Sequence, residues 1–157
     1  MAPALRDARD GDAEQLIELI ADVFAEYPGC VLDVDGEMPQ LRSPASAFAE
    51  WQGRLWVAES GARIVGCAGL TAIHGVAELK HLYVAAQARR RGLGGRLCEL
   101  VEAEARRRGH SRIELWTDTR FGDAHRLYES RGYVRGREVR ELHDLSASVE
   151  YFYSKPL

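Results

Sequence analysis

Apolar positions along the chain switch between a period near two and a period near 3.6, and the switches lay out the elements. Ala4–Asp7 reads as a short first strand. Asp10-Gly11-Asp12 follows as a helix start, with Asp12 and Gln15 at capping-box spacing. Leu16, Ile20, Val23 and Phe24 recur at helical spacing, so a helix is predicted to about Tyr27, ended by Pro28-Gly29. Cys30–Ser43 shows neither period and is acidic, with Asp33, Asp35 and Glu37. A short helix is predicted across Pro44–Gln52. Arg54–Glu59 and Arg63–Thr71 form a predicted hairpin around Ser60-Gly61, with Gly66 and Gly69 weakening its second strand. Ala77–Val84 is the next strand. Leu93, Leu97, Leu100 and Val101 stripe a helix from about Gly94 to Arg108, stopped by Gly109. Arg112–Trp116 is a strand, Asp123–Arg131 a helix closed by Gly132, and Tyr133–Val139 and Val149–Lys155 are the last strands.

The order β-α-α-β-β-β-α-β-α-β-β predicts an α/β fold, a mixed sheet with helices on its faces. With 157 residues and no linker, repeat or low-complexity stretch, residues 1–157 are expected to form one domain.

Composition narrows the function classes. An apolar fraction of 46% beside 29% charged residues reads as globular. The net charge of −3 argues against a nucleic-acid partner. No apolar run approaches the ~20 residues that span a bilayer, so no membrane partner is expected. The N-terminus lacks the basic-then-apolar order of a signal peptide, and the expected compartment is the cytoplasm. Cys30, Cys67 and Cys98 are odd in number and scattered, which predicts neither a disulfide framework nor a zinc site. Cys67 and Cys98 read as buried thiols. No metal is expected.

The strongest chemical signal is the strand–loop–helix at residues 77–108, with Arg89-Arg90-Arg91-Gly92-Leu93-Gly94-Gly95-Arg96 at its turn. A glycine-rich turn entering a helix points several unpaired N–H groups at one spot, and the helix dipole adds partial positive charge. Flanking arginines suit a pyrophosphate. The P-loop string G-x-x-x-x-G-K-[ST] is absent. The dinucleotide fingerprint G-x-G-x-x-G fails at Leu97.

The spacing Arg89-x-x-Gly92-x-Gly94 resembles the [QR]-x-x-G-x-[GA] signature of the GNAT superfamily of N-acetyltransferases. Ala124-His125-Arg126-Leu127-Tyr128-Glu129-Ser130-Arg131-Gly132-Tyr133 resembles that family's A-x-x-[LF]-Y-x-x-x-G-[FY] segment. The resemblance implies a mostly antiparallel central sheet, splayed at a bulge in the fourth strand and flanked by about four helices. It implies acetyl-CoA as donor and direct transfer to a primary amine of a small molecule or peptide. Leu82, Tyr83 and Val84 would meet the cofactor arm, the Leu82 N–H polarising the thioester carbonyl. The loop from Arg89 to Arg96 would hold the pyrophosphate, and Ala124 would pack under the cofactor. Tyr128 would face the sulfur as general acid, and Glu78 would be the general base. One departure stands out: Phe121 occupies a position where family members often have Asn.

Strand alternation predicts Glu78 on the same face as Leu82 and Val84, with His81 on the other. An acceptor pocket is expected between the Tyr27–Ser43 and Arg140–Ser148 segments, with Tyr27, Asp33, Asp35 and His143 as candidate contacts. Carboxylates there would favour a cationic amine; a plain solvated acidic loop is the competing reading. Two other functions stay open: a CoA-binding regulatory or sensor domain without turnover, and a module using the loop for ADP. A homodimer is left open, the tail Tyr151-Phe152-Tyr153 serving either as interface or as core.

Overall fold

The computed structural model describes residues 2–157. Seven strands and five helices alternate along the chain: β1 (Ala4–Asp7), α1 (Ala13–Phe24), α2 (Val34–Glu37), α3 (Pro44–Glu50), β2 (Arg54–Ser60), β3 (Arg63–Thr71), β4 (Glu78–Val84), α4 (Leu93–Arg107), β5 (Arg112–Asp118), α5 (Gly122–Ser130), β6 (Val134–Glu141) and β7 (Val149–Pro156). The strands form one sheet in the order β1-β2-β3-β4-β5-β7-β6. All neighbours are antiparallel except β4 and β5. Among the described residues no helix is long and apolar enough to cross a membrane.

The periodicities act as expected. In α1, Leu16, Leu19, Ile20 and Val23 are buried, while Glu14, Glu18 and Asp22 face outward. In α4, Leu93, Leu97, Val101 and Ala105 bury a stripe on the sheet. Strand β3 is buried at every residue after Arg63, because helices cover both its faces there. A Cβ on Gly66 would sit 3.2 Å from Leu97 and 3.3 Å from Leu93, which assigns that side to α4. A Cβ on Gly69 would collide with the Phe48 ring, which assigns the other side to α1 and α3. Phe48 is 1% exposed and has nowhere to retreat. Gly69→Ala is therefore expected to destabilise the fold by about 1–3 kcal/mol through overpacking. Urea unfolding measures this as a lower midpoint with an unchanged slope.

Several expectations are corrected. Helix α1 ends at Phe24 and only turns continue to Tyr27. The Asp12–Gln15 capping box does not form. The Asp12 carboxylate instead accepts from the Arg9 N–H at 2.8 Å and from the Arg6 guanidinium at 2.9 Å, while Gln15 accepts from the Ile64 N–H at 2.9 Å. The segment 30–43 is not irregular throughout: it holds α2 and a 3-10 turn at Pro39–Arg42. Of the tail aromatics, whose role the sequence leaves open, Phe152 and Tyr153 are buried and Tyr151 is half-buried, in a strand paired on both sides.

Candidate functional site

Strands β4 and β5 pair at a single position, Glu78 opposite Glu114, and diverge from there. The sheet splays into a V whose arms are the C-terminal ends of both strands. The cause lies in β4. Gly69 pairs with Lys80 and Cys67 with Tyr83, so three steps along β4 match two along β3. The extra residue is a β-bulge, and His81 within it has φ +55°.

The bulge reverses the parity of everything beyond it. Cross-strand partners share a face. Glu78, Lys80 and Tyr83 pair with Thr71, Gly69 and Cys67, on the face covered by α1 and α3. Val84 pairs with Gly66, on the α4 face, and Leu82 alternates with Tyr83 onto that same face. The expectation that Glu78 shares a face with Leu82 and Val84 is thus overturned. His81, expected opposite Glu78, packs against Phe48 and Tyr83 on the Glu78 face.

A cavity of about 370 Å³ fills the V and runs to the turn before α4. It brings together Leu82, Tyr83, Val84, Arg89, Arg90, Gly92, Leu93, Gly94, Gly95, Ala124 and Tyr27 of the sequence-derived set. At its basic end, Arg90 and Gly92 both take left-handed φ, +62° and +78°. The backbone N–H groups from Arg90 through Gly95 donate to no protein acceptor. Successive free N–H groups at a helix start form an anion nest. A Cβ on Gly94 would lie 2.8 Å from Leu127, so glycine is what lets α4 and α5 close around this end.

Arg91 and Arg96 lie outside the cavity lining, and Arg96 donates to the Pro3 carbonyl at 3.2 Å. Arg89 lines it but is already engaged. Its Nε–H donates to the Val84 carbonyl at 3.0 Å, and its guanidinium makes a bidentate pair with Glu26, the longer bond 2.7 Å. Arg89 therefore fixes the loop to β4 and α1, and Arg90 is the other loop arginine that lines the cavity beside the free N–H groups.

Tyr128 stands behind the lining, 4% exposed, with Tyr133 and Tyr153 at ring distances of 5.6 and 5.9 Å. Its hydroxyl makes no hydrogen bond within the protein, yet no described side-chain nitrogen or oxygen is both buried and unpartnered. The hydroxyl is therefore not fully enclosed. Burial pushes its pKa well above the ordinary phenol value, so it is a protonated donor at neutral pH. Glu78 is outside the cavity lining. Burial also raises its pKa, and Glu114 and Glu150 add to this against the opposing pull of Lys80 and Arg140.

The acceptor candidates separate. Asp33 accepts from the Gly36 N–H at 3.1 Å as the start of α2, and Asp35 pairs with Arg42; neither lines the cavity. His143 is exposed on the β6–β7 loop. The two predicted loops nevertheless meet. The Val31 N–H donates to Ser146 Oγ at 2.7 Å, Ser146 Oγ donates to the Val31 carbonyl at 3.0 Å, and the Leu145 N–H donates to Glu37 at 2.8 Å. Arg120, paired with Asp118 at 2.8 Å, donates to the Ser146 carbonyl at 3.1 Å.

Sequence reasoning missed Val23, Arg126 and Leu127 in the lining. Helical spacing carried a signal for two of them: Val23 lies four residues before Tyr27, and Leu127 three after Ala124. Phe121, noted only as a departure, closes the wall between the halves of the sheet. Its ring is 4.9 Å from Tyr27 and 6.1 Å from Phe24, which meets Tyr83 edge-on at 6.0 Å. His125, beside Tyr128 on α5, stacks on Tyr153 and hydrogen-bonds the Asp118 carbonyl through Nε2 at 2.9 Å.

Comparison with known proteins agrees with this architecture. The family model described as "Acetyltransferase (GNAT) family" matches residues 13–133. A Mus musculus protein named "Probable N-acetyltransferase family 8 member 5" is 29% identical over 134 residues, covering 81% of this chain and 57% of that protein. The chain thus spans a little over half the length of that relative. A GNAT-family acetyltransferase from Staphylococcus aureus Mu50 superposes with a TM-score of 0.86 at 22% identity, covering 98% of each chain. The PaiA N-acetyltransferase from Thermoplasma acidophilum, in complex with coenzyme A, gives a TM-score of 0.75 at 16% identity over 100% of each chain. At these identities the two superpositions establish the fold.

Proposed function

Because the chain belongs to the GNAT acetyltransferase family, we propose that it is an acetyl-CoA-dependent N-acetyltransferase acting on a primary amine of a small molecule or peptide. The observation that carries this is the V between β4 and β5, with the N–H nest of residues 90–95 at its basic end and an unbonded, protonated Tyr128 hydroxyl behind its lining.

The residues present fit the donor. The nest offers unpartnered N–H groups from Arg90 and Gly92 through Gly95 to a pyrophosphate, and a side chain at Gly94 would collide with Leu127 in the wall of the cradle. Val23, Leu82, Val84 and Ala124 give the rest of the cavity the apolar character a pantetheine arm needs. Phe121 offers an aromatic wall where relatives of this pattern carry an amide, so the arm would be held by β4 backbone groups and packing. Bound acetyl-CoA supplies the activated acetyl thioester.

The chain's own groups then have separable tasks. The Leu82 N–H, beside the bulge, is placed to polarise a carbonyl oxygen without using a side chain. Tyr128 donates its phenolic proton towards the sulfur side of the cavity. Glu78, with its raised pKa, takes a proton from the incoming ammonium. It sits on the α1 and α3 face while Leu82 and Val84 sit on the other. Acceptor and donor therefore approach the V from opposite sides of the sheet, and proton removal at that distance runs through water.

Titration calorimetry with acetyl-CoA, followed by thiol release with polyamines, aminoglycosides, amino acids and peptides, tests the assignment. The parent protein is expected to bind acetyl-CoA and to release thiol in an amine-dependent way. Gly94→Val is expected to weaken acetyl-CoA binding by tenfold or more, an effect of about 1.4 kcal/mol. Binding without turnover for any amine would favour the sensor reading. No binding to the parent would sink both.

A further inference from the structure

His81 forms the β4 bulge at φ +55°, a conformation uncommon outside glycine. The surrounding fold holds it there. Its ring lies 5.6 Å from Phe48 and is stacked on Tyr83 at 6.1 Å and 27°. Its Nε2 lies 2.9 Å from the side-chain nitrogen of Gln40. An amide nitrogen is a donor only, so Nε2 must accept and the ring proton resides on Nδ1. Burial, reinforced by the nearby Lys80 ammonium, pushes the imidazole pKa down to about 4. The ring is therefore neutral at neutral pH, and its basic nitrogen is already occupied.

Nδ1 has no hydrogen-bond partner within the protein, and no described side-chain nitrogen is both buried and unpartnered. Nδ1 is therefore not fully enclosed. His81 itself is outside the cavity lining, but the next residue is Leu82 and its ring is stacked on Tyr83, both of which line the cavity. The ring is also on the Glu78 face, from which the acceptor approaches.

We propose that His81 is a specificity-determining donor whose Nδ1–H binds an oxygen of the acceptor, selecting amines with a carbonyl or hydroxyl oxygen close to the nitrogen over plain alkylamines. This rests on the acetyl-transfer reading above. It assigns His81 a binding role in place of the general-base role its side-chain type suggests.

Nitrogen-15 spectra of the imidazole ring test the tautomer directly. The Nδ1–H form is expected to persist without titrating across ~pH 5.5–8, where an ordinary histidine titrates. Gln40→Leu is expected to release the ring to the Nε2–H form. An Nε2–H ring in the parent, or protonation within that range, would overturn the proposal.

Glycinamide and propylamine test the selection. The parent is expected to show a lower KM for glycinamide by about tenfold, the worth of one hydrogen bond. His81→Gly, which keeps the positive φ without strain, is expected to abolish the preference, and His81→Asn to restore part of it. A preference that survives in His81→Gly, or is absent from the parent, is the opposite result. If neither amine is turned over, adding each to the CoA complex decides: glycinamide alone should shift the Nδ1 resonance, and no shift defeats the proposal. Loss of acetyl-CoA binding in the parent would instead strike the transferase reading, leaving the tautomer result intact.

Discussion

Tyr128→Phe is expected to lower kcat for acetyl transfer by about a hundredfold, the lower end of what a general acid contributes. Acetyl-CoA affinity is expected to stay within about twofold. Phe keeps the ring contacts with Tyr133 and Tyr153 and removes only an oxygen that bonds to nothing in the protein. The lost function is then the proton for the departing thiolate, which is needed only as the carbon–sulfur bond breaks. Such a change lowers kcat and kcat/KM together. Thiol-release kinetics beside calorimetric binding measure both. A variant with kcat within threefold of the parent would show that solvent supplies this proton, and Tyr128 would be left with a packing role.

Glu102→Ala is expected to cost about 3–5 kcal/mol of stability, the usual loss when one member of a buried ionic group is removed. Glu102 is 0% exposed at the back of α4 and binds Arg131 at 2.9 Å, Lys155 at 2.8 Å and the Tyr133 hydroxyl at 3.0 Å. These partners come from the turn after α5, from β7 and from the residue just before β6, so one carboxylate ties the C-terminal third to α4. Burial alone would raise its pKa. The hydrogen bonds and charges of Arg131 and Lys155 outweigh that and hold it below the usual value. A depressed pKa contributes stability above the unfolded-state value near ~4.3, and that contribution is lost as pH falls through the folded-state value. The gap between parent and variant is therefore widest at neutral pH and narrows in acid. Thermal melts at pH 7 should show a midpoint lower by roughly 10 °C for a chain of this size. An equal gap at pH 7 and pH 3 would contradict the ionic explanation.

What could be read from the sequence was whatever depends on near neighbours. The glycine-rich turn before α4 is made by its own backbone, so Gly92, Gly94 and the apolar stripe from Leu93 mark it without reference to the rest of the chain. The helical stripes of α1 and α4 were legible for the same reason. The bulge was not. Nothing about His81 marks it as a left-handed residue, and one extra residue in β4 reverses the face of every later side chain. That single step misplaced Glu78 relative to Leu82 and Val84. The segment 30–43 failed differently. Its order comes from Ser146, Leu145 and Arg120, whose bonds to it and to each other join residues 26 to 115 apart in sequence. No local pattern records such partners. Arg89 lines the cavity, but its engagement with Glu26 was not legible, because Glu26 lies 63 residues away.

The strand order carries a consequence for how the chain is made. β7 lies between β5 and β6, so β6 leaves the ribosome before the strand it pairs with exists. The outer edge of β5 waits as well. Until β7 arrives with Tyr153 and Lys155, the tyrosine shelf behind the cavity has no floor and Glu102 lacks one of the two cations that hydrogen-bond it. The half of the V carried by β5 is therefore assembled last, in one step, when the β6–β7 hairpin docks. During synthesis the nascent protein presents a paired β1–β4 half and an open edge on β5, a surface that chaperones recognise.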